Sequence, residues 1–274
     1  MTIDLEDWYH YYPLKKWEQI PSRIEEPTYW LLGEFAKRKV KATFFILGYI
    51  AERHPVLIKE IYSQGHEIGI HGYDHELVFE KSPEGLDKDI KLALTAVYKA
   101  VGYRPDLYRA PSFSITKEVP WVWPILANNG IRKDSSLFAA RRVDGGYTNI
   151  SESYFCFKTE DSVEIIEYPI LPKKIGLLRV PFTGGGYFRL LPINLILSWI
   201  RKSTVPIIFY IHPRDLDPET PVINELGSFR KRMVYYGLKS TREKIRALLD
   251  TIPFSSIKKV YEENDVQACD IHGE

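Results

Sequence analysis

Short apolar runs alternate with longer amphipathic segments along most of the chain, and this alternation limits the possible folds more than any other feature. Helical periodicity falls on residues 28–39, 55–64, 83–101, 192–202 and 239–250. Strands are predicted at residues 2–4, 41–47, 66–70, 107–110, 130–136, 163–170, 205–211 and 254–259. The pattern is typical of repeated βα units, so we expect an α/β protein with a barrel-like (β/α) fold.

The chain shows no sign of division into separate domains. Its 274 residues are 45% hydrophobic, enough to bury a large core, and (β/α) barrels of this length are common as single units. We find no linker rich in proline, glycine or serine. A loop-rich excursion is expected at about 141–190, around the glycine run at 184–187. One domain covering residues 1–274 is therefore predicted.

Charge and hydropathy exclude several classes of partner. Lys and Arg number 37 against 36 Asp and Glu, so the net charge of +1 gives no field suited to nucleic acid or an anionic membrane. The apolar runs at 42–51 and 205–211 are shorter than the roughly 18 residues of a membrane span. The acidic first residues do not resemble a signal peptide. We expect a cytoplasmic protein without a transmembrane segment.

Five ionisable residues stand at the ends of predicted strands, namely Asp4, His71, Arg109, Asp134 and His212. In (β/α) barrels the carboxyl ends of the strands share one face, and that face carries the active site. Side chains from five distant segments are therefore expected to meet there.

The spacing of His71 and His75 suits two imidazoles that bind one metal ion. An acid from another strand end would complete the set, and Asp4, Glu6 and Asp7 follow the first strand. One of these acids would bind the metal and another would act as a base towards water. Imidazole and carboxylate ligands favour Zn²⁺, and also suit Co²⁺, Ni²⁺ or Mn²⁺.

The remaining strand-end residues suit supporting or proton-transferring roles. Arg109 could form a fixed ion pair with Asp4 and keep that carboxylate ionised. His212, which follows an apolar strand, could donate a proton to a leaving group. Asp134 could either orient His212 or cap its own turn, and the sequence favours neither alternative.

Seven stretches in the same order resemble the polysaccharide deacetylases with the NodB homology domain, carbohydrate esterase family 4. They are TIDLEDWYH, KATFFILG, GHEIGIHGYDH, YRAPSFSIT, GIRKDSS, GGGYFRLLP and FYIHPRDLDP, and together they extend over nearly the whole chain. The chain is especially similar to the branch associated with exopolysaccharide loci.

The resemblance implies a distorted (β/α) barrel that binds a divalent metal. Carried over position by position, it implies a base at Asp4, metal ligands at His71 and His75, a tether for the base at Arg109, a general acid at His212 and an orienting acid at Asp134. The chain departs from the family at Leu5, where an aspartate is usual, so the third ligand is either Glu6 or Asp7. It also departs at Gly72, where many members have Ser or Thr.

The expected reaction is metal-dependent hydrolysis of an N-acetyl group on an amino sugar of a polysaccharide or its precursor. The aromatic residues Trp8, Tyr9, Trp123 and Tyr187 are candidates to line the sugar groove, on residue type alone. Two alternatives stay open: a hydrolase of non-sugar linear or cyclic amides, and a catalytically silent carbohydrate-binding relative. The sequence does not indicate the oligomeric state.

Overall fold

The strands of the computed structural model form one large curled sheet and one separate hairpin. The structure describes residues 1–140, 145–147, 150, 154–159 and 162–262. The large sheet contains β1 (Thr2–Leu5), β2 (Thr43–Ile46), β3 (Glu67–Ile70), β4 (Leu107–Tyr108), β5 (Lys133–Asp134), β6 (Phe155–Lys158), β7 (Glu164–Glu167) and β10 (Tyr210–Ile211). The hairpin contains β8 (Lys173–Ile175) and β9 (Leu178–Val180).

The large sheet has the order β10-β1-β2-β3-β4-β5-β7-β6. All pairs are parallel except β6 with β7. Because neighbouring strands are parallel and close in sequence, their carboxyl ends lie at one edge of the curled sheet. The register sets Asp4 beside Phe45 of β2, and Ile70 of β3 beside Tyr108 of β4. The predicted distorted (β/α) barrel is confirmed, as a curled half-barrel.

Helices connect and cover the strands. The α-helices are α1 (Glu25–Arg38), α2 (Gly48–Arg53), α3 (Pro55–Ser63), α4 (Pro83–Val101), α5 (Val122–Asn128), α6 (Gly185–Leu190), α7 (Ile193–Arg201), α8 (Ser228–Tyr235), α9 (Leu238–Thr251) and α10 (Ile257–Glu262). Short 3-10 helices occupy Trp8–Tyr11, Leu14–Gln19, Val78–Glu80, Pro111–Phe113 and Pro213–Leu216. The start of α4 follows from its sequence, because Ser82 Oγ accepts from Gly85 N and Pro83 needs no donor.

The central strands are buried on both faces, as expected for a parallel sheet covered by helices. Every residue of β1 and β2 is buried. Phe44 and Ile46 belong to the large apolar cluster that includes the helices, whereas Phe45 points the other way and packs among Phe113, Phe138 and other residues of a second cluster. The second cluster fills the concave side of the sheet below its carboxyl edge.

One predicted strand is wrong. Residues 254–259 do not join the sheet but lead into α10, where Lys259 N donates to Ser256 Oγ and Val260 N donates to Ser256 O. The apolar residues Ile257 and Tyr261 of α10 belong to the second cluster, and the ring of Tyr261 packs on that of Tyr168. Within the described part of the 141–190 region lie β6 to β9 and α6. In the described ranges, no helix is both long enough and apolar enough to traverse a bilayer.

Candidate active site

Asp4 and Arg109 form a buried ion pair at the carboxyl edge of the sheet. Arg109 Nη1 donates to Asp4 Oδ1 at 2.7 Å and to Thr2 Oγ1 at 2.9 Å. The other guanidinium nitrogens donate to the carbonyl and hydroxyl oxygens of Ser135. The guanidinium also stacks on Phe45 at 4.0 Å from the ring centroid. Because its donors are held from several sides, Arg109 fixes Asp4 and leaves Oδ2 facing the site.

Glu6 lies two residues beyond Asp4, between the two predicted histidine ligands. Its Oε1 atom is 3.1 Å from His71 Nε2 and 3.0 Å from His75 Nε2. The other ring nitrogen of His71, Nδ1, is 2.8 Å from the carbonyl oxygen of Arg109. A carbonyl oxygen only accepts, so this contact places a proton on Nδ1. The Nε2 atom faces the Glu6 carboxylate, and a metal ion held between them would take its lone pair.

These three residues suit a divalent metal ion. One donor atom each from Glu6, His71 and His75 lie within 4.8 Å of one another, and Asp4, Glu6 and His212 form an overlapping group. Two imidazoles and one carboxylate are a known ligand set for catalytic zinc, with a further position left for water or substrate. The backbone contact of His71 Nδ1 is the outer hydrogen bond that metal-binding histidines ordinarily make.

Asp7, the alternative ligand, is directed elsewhere. It caps the 3-10 helix that begins at Trp8, accepting from Trp8 N at 2.8 Å, and it also accepts from Ser22 Oγ and Arg23 N. With its oxygens used by these donors, Asp7 lies outside both groups of potential ligands. The sequence left Glu6 and Asp7 open as the third ligand, and the geometry favours Glu6, which faces both imidazoles.

Arg214 binds the second oxygen of Glu6. Its Nη1 atom donates to Glu6 Oε2 at 3.0 Å, while its guanidinium lies 4.7 Å from the ring centroid of Tyr11. Burial alone would raise the pKa of Glu6, but His75, Arg214 and His212 together hold that pKa well below its usual range. Glu6 is therefore ionised and offers only Oε1 to the pair of imidazoles.

His212 lies close to Asp4 and Glu6. Its Nε2 atom is 3.8 Å from both Asp4 Oδ2 and Glu6 Oε1, too far for a hydrogen bond and wide enough to admit a reacting group. Its Nδ1 atom is 3.0 Å from Asp215 Oδ2, and Asp215 also accepts from the backbone N of His212. Asp215 therefore orients the ring with Nε2 towards Asp4.

Asp134 does not contact His212, so the prediction that it orients the histidine is corrected. It accepts from the backbone N and the hydroxyl of Ser136, at 2.9 and 2.7 Å. In the register of the sheet it lies beside Glu167. Burial raises the pKa of both carboxyls. The charge of Asp134 raises the pKa of Glu167 further, whereas a hydrogen bond with Glu167 partly offsets the rise in the pKa of Asp134. Asp134 thus caps its local turn, which is the second of the two alternatives.

Arg189 holds Asp215 from behind. The Arg189 side chain is 3% exposed, and its Nη1 atom donates to Asp215 Oδ1. Its other nitrogens donate to the carbonyl oxygens of Met233, Val234 and Tyr236, at the end of α8. Burial would raise the pKa of Asp215, but Arg189 and His212 keep it far below the usual range. The general-acid candidate is thereby connected to α8.

A second buried cation, Lys81, supports the loop that carries His75. Lys81 Nζ lies 2.8 Å from Asp74, 2.9 Å from Glu76 and 3.4 Å from Asp89. Asp89 accepts from Tyr73 N, and a Cβ atom on Gly72 would come within 2.8 Å of Asp89 Oδ2. Gly72 also has φ +73°, which favours glycine. The departure from Ser or Thr at this position is therefore explained by the close approach of Asp89.

A cavity of about 520 Å³ opens over these groups. Its lining includes Asp4, Glu6, His75 and His212 together with Tyr187, Tyr11, Phe229 and Met233. Tyr187 is therefore the one predicted groove residue that lines it. The glycines before Tyr187 let the backbone approach closely, since a Cβ atom on Gly186 would lie 2.4 Å from Met233 O.

The other three predicted groove residues lie outside this cavity. Trp8 Nε1 donates to Pro21 O, Tyr9 is buried against Trp17, and Trp123 on α5 packs against the large apolar cluster. Aromatic residue type was a poor guide because Tyr9 lies in the core and Trp8 and Trp123 pack against it. Sequence reasoning missed Asp215, Arg189 and Arg214. The His212–Asp215 spacing of three residues was the available signal.

Two family descriptions match adjacent parts of the chain. Polysaccharide deacetylase matches residues 21–132, and a domain of unknown function, DUF3473, matches residues 135–262. The first segment contains His71, His75 and Arg109, and the second contains His212, Asp215 and Arg189. Asp4 and Glu6 precede both, so the site draws on three parts of the chain.

Curated relatives match about a third of the chain. The peptidoglycan-N-acetylglucosamine deacetylase PgdA of Listeria monocytogenes is 33% identical over 89 residues, which is 32% of this chain and 19% of PgdA. A peptidoglycan-N-acetylglucosamine deacetylase of Bacillus cereus is 34% identical over 112 residues, covering 36% of this chain and 52% of the relative. The chain thus spans between about a fifth and about half of these relatives.

Solved structures share the fold over nearly the whole chain. A putative polysaccharide deacetylase from Mycobacterium smegmatis superposes with a TM-score of 0.59 at 20% identity, covering 90% of this chain and 81% of its own. BA3943 of Bacillus anthracis, described as a CE4 family pseudoenzyme, superposes with a TM-score of 0.50 at 13% identity. The match covers 94% of this chain and 63% of BA3943. The chain is thus similar to the polysaccharide deacetylases over residues 21–132, and it shares the fold of these solved structures.

Proposed function

We propose that the chain is a metal-dependent N-deacetylase that hydrolyses the N-acetyl group of an amino sugar in a polysaccharide or its precursor. The observation that carries the proposal is the position of Asp4 and His212 beside the Glu6–His71–His75 group, within one cavity. A base, an acid and a metal-binding triad are the components that amide hydrolysis of this type requires.

Glu6, His71 and His75 would hold the metal, for which Zn²⁺ is our first choice and Co²⁺, Ni²⁺ and Mn²⁺ are alternatives. When bound, the ion would supply Lewis-acid polarisation of the acetamide carbonyl and would make a water molecule easier to deprotonate. The pairing of Glu6 with Arg214 keeps one carboxylate oxygen available to the ion and the other occupied.

Proton transfer is assigned to Asp4 and His212. Arg109 occupies Asp4 Oδ1, so Oδ2 is free to accept the proton of the attacking water. Asp215 occupies His212 Nδ1, so Nε2 donates a proton to the departing amine nitrogen as the carbon–nitrogen bond breaks. Water is consumed, and acetate and a free amino sugar are released. Tyr187 and Tyr11 offer aromatic surface for the sugar at the cavity wall.

The proposed substrate class is supported by the match to polysaccharide deacetylases and by the names of the relatives, which are peptidoglycan-N-acetylglucosamine deacetylases. The similarity of the sequence to the exopolysaccharide-associated branch favours another N-acetylated glycan for this chain. In the cytoplasm, where the sequence predicts the protein, such a glycan would be a nucleotide-linked or lipid-linked precursor. Cell fractionation tests that placement, and recovery of the mature protein outside the membrane would contradict it.

The direct experiment is to load the purified protein with Zn²⁺ and incubate it with a panel of N-acetylated oligosaccharides and nucleotide sugars. Acetate and free amine should appear in equal amounts, and addition of a chelator should stop their release. Ammonia without acetate would instead indicate a hydrolase of another amide. Metal binding without turnover on any substrate would favour a silent carbohydrate-binding relative.

A further inference from the structure

We propose that the β8–β9 hairpin, residues Lys173–Val180, docks on the surface of an anionic lipid bilayer. This inference concerns a surface outside the catalytic cavity and goes beyond the proposed reaction. Among the described residues the two hairpin strands pair with each other and not with the eight-stranded sheet, and the Arg179 side chain donates to Ala139 O at 2.9 Å. A two-stranded hairpin is marginal in water without further packing, so an exposed one suits a role in contacts with a partner.

The tip of the hairpin presents aliphatic side chains to solvent. Leu177 is 104% exposed, Leu178 68% and Ile175 47%. Leu177 is the most exposed large apolar residue among those described. Turns normally carry polar residues, and a cluster of exposed aliphatic side chains marks a site of contact with protein or lipid.

The surface charge on and after the hairpin is basic. Lys174, Arg201 and Lys202 are exposed and Lys173 is half-buried, and the sequence between Glu167 and Asp215 has no Asp or Glu, although the whole chain is nearly neutral. Two other cations of this stretch, Arg189 and Arg214, are paired with Asp215 and Glu6 in the site and do not contribute. In the hairpin register, Lys174 lies opposite Arg179. Like charges in opposing positions destabilise a strand pair, and an anionic partner would relieve that repulsion.

The same composition continues beyond the hairpin into α7. Leu195 of this helix is 37% exposed, and exposed Arg201 and Lys202 follow at its end. The ring of Trp199 packs against Phe182 at a centroid distance of 5.4 Å, so α7 contacts the segment that leaves the hairpin. Aliphatic and aromatic side chains next to lysine and arginine are the composition found at lipid interfaces.

A lipid surface fits these features better than a protein partner does. The apolar residues form a convex tip and not a groove, so they can enter the boundary between headgroups and acyl chains without a matched pocket. Lys173 and Lys174 would then lie at the level of anionic headgroups. Three aliphatic side chains and two lysines give reversible binding and not permanent anchorage.

The test is co-sedimentation of the purified full chain with lipid vesicles. One set contains phosphatidylcholine alone, and the other contains phosphatidylcholine with phosphatidylglycerol. The wild type should partition onto the anionic vesicles, and added salt should weaken that partition. Leu177→Asp combined with Leu178→Asp should reduce the partition at least about tenfold. Lys173→Glu combined with Lys174→Glu should reduce it about thirtyfold or more on anionic vesicles.

The matched control is Val56→Asp, which places a charge on another exposed aliphatic residue, 74% exposed at the start of α3. This variant should bind vesicles like the wild type, and circular dichroism should show that all variants are folded. Equal binding by the leucine variant, or no binding of the wild type to anionic vesicles, would overturn the proposal. If the wild type does not bind vesicles but self-associates, and the leucine variant does not self-associate, the tip contacts a second copy of the chain and the proposal is overturned. Acetate release is not measured, so this test is independent of the proposed reaction.

Discussion

The two sides of the site are built differently, and the difference separates what the sheet determines from what the loops determine. On the proposed metal-binding side, which contains Glu6, His71 and His75, Glu6 follows β1 and His71 follows β3 of the parallel sheet. The backbone carbonyl of Arg109 orients His71. On the proton-donating side, His212 depends on Asp215 and on Arg189, which in turn binds carbonyl oxygens at the end of α8. The first side is set by strand register and the second by a network of side chains.

Each side also rests on a buried cation. Lys81 binds Asp74 and Glu76 near His75, and Arg189 binds Asp215 near His212. The partners of Lys81 are carboxylates, of which Asp74 and Glu76 are at least partly exposed and Asp89 is buried, whereas those of Arg189 are mostly backbone carbonyls. We therefore expect the two cations to influence different steps, metal binding for Lys81 and proton donation for Arg189.

The largest effect is expected from Asp4→Asn, which removes the base without changing the size of the side chain. The value of kcat should fall about a thousandfold, the middle of the range for loss of a general base. Metal content measured by elemental analysis should stay at the wild-type level, because Asp4 is not among the three ligands. Loss of the metal together with activity would place Asp4 on the metal-binding side instead.

Glu6→Gln should weaken metal binding about a hundredfold or more, since it removes the only carboxylate of the triad. The matched variant is Asp7→Asn, one residue further along, which alters a helix cap and should leave metal affinity unchanged. Isothermal titration with Zn²⁺ compares the two. A greater loss in Asp7→Asn would reverse the assignment of the ligand.

Asp215→Asn should lower kcat roughly ten- to a hundredfold, because an amide no longer stabilises the protonated ring of His212. The control is Asp134→Asn, at the residue that the family resemblance implies as the partner of His212, and this variant should leave kcat unchanged. Steady-state assays at saturating Zn²⁺, with thermal unfolding as a check on folding, separate these cases. Equal losses in both variants would contradict a specific role for Asp215.

A crossed pair of variants tests the comparison itself. Arg189→Lys should lower kcat about tenfold and change its pH profile while metal affinity is kept. Lys81→Met should weaken metal affinity about tenfold and restore near-normal kcat when Zn²⁺ is saturating. Isothermal titration gives the metal affinity of each variant, and kinetics gives its kcat at saturating Zn²⁺. If both variants lose the same quantity, metal affinity or kcat, the two sides of the site do not act separately.

The smallest effect concerns the opposite end of β3, away from the site. Burial lowers the pKa of His66 to about 4, and its Nδ1 atom accepts from Ala42 N. An unfolded histidine titrates near 6.5, so protons favour the unfolded state and stability is lost as pH falls from about 6.5 towards 4. Between pH 6.5 and 5.5 the contribution of His66 to the free energy of unfolding should fall by about 1 kcal/mol. Burial lowers the pKa of His10 as well, so His66→Asn should remove only the His66 share of the pH dependence in denaturant titrations, and an unchanged slope would contradict that assignment.

Much of the metal-binding side could be predicted from the sequence. The ends of strands can be predicted from apolar runs in the sequence. Asp4, His71, His75 and Arg109 fall at or near such ends, and a parallel sheet brings these ends to one edge. The choice between Glu6 and Asp7 could not be made, since it depends on the direction in which the chain leaves β1 and on the donors near Ser22.

The proton-donating side could be predicted only as far as His212. Asp134 was a reasonable partner because it also ends a strand, but its side chain is buried beside Glu167. The actual partner, Asp215, lies three residues from His212 and is fixed by Arg189 from a separate helix. Contacts between short helices that are distant in sequence leave no periodic pattern, and α6 and α8 were not predicted for the same reason.

The central claim is tested most directly by a crystal structure of the protein with Zn²⁺, using anomalous scattering to locate the ion. We predict one strong site bound by Glu6 Oε1, His71 Nε2 and His75 Nε2 at about 2.0–2.2 Å, with Asp4 and His212 on either side of its open position. An ion bound by Asp7, or held away from Asp4 and His212, would contradict the account.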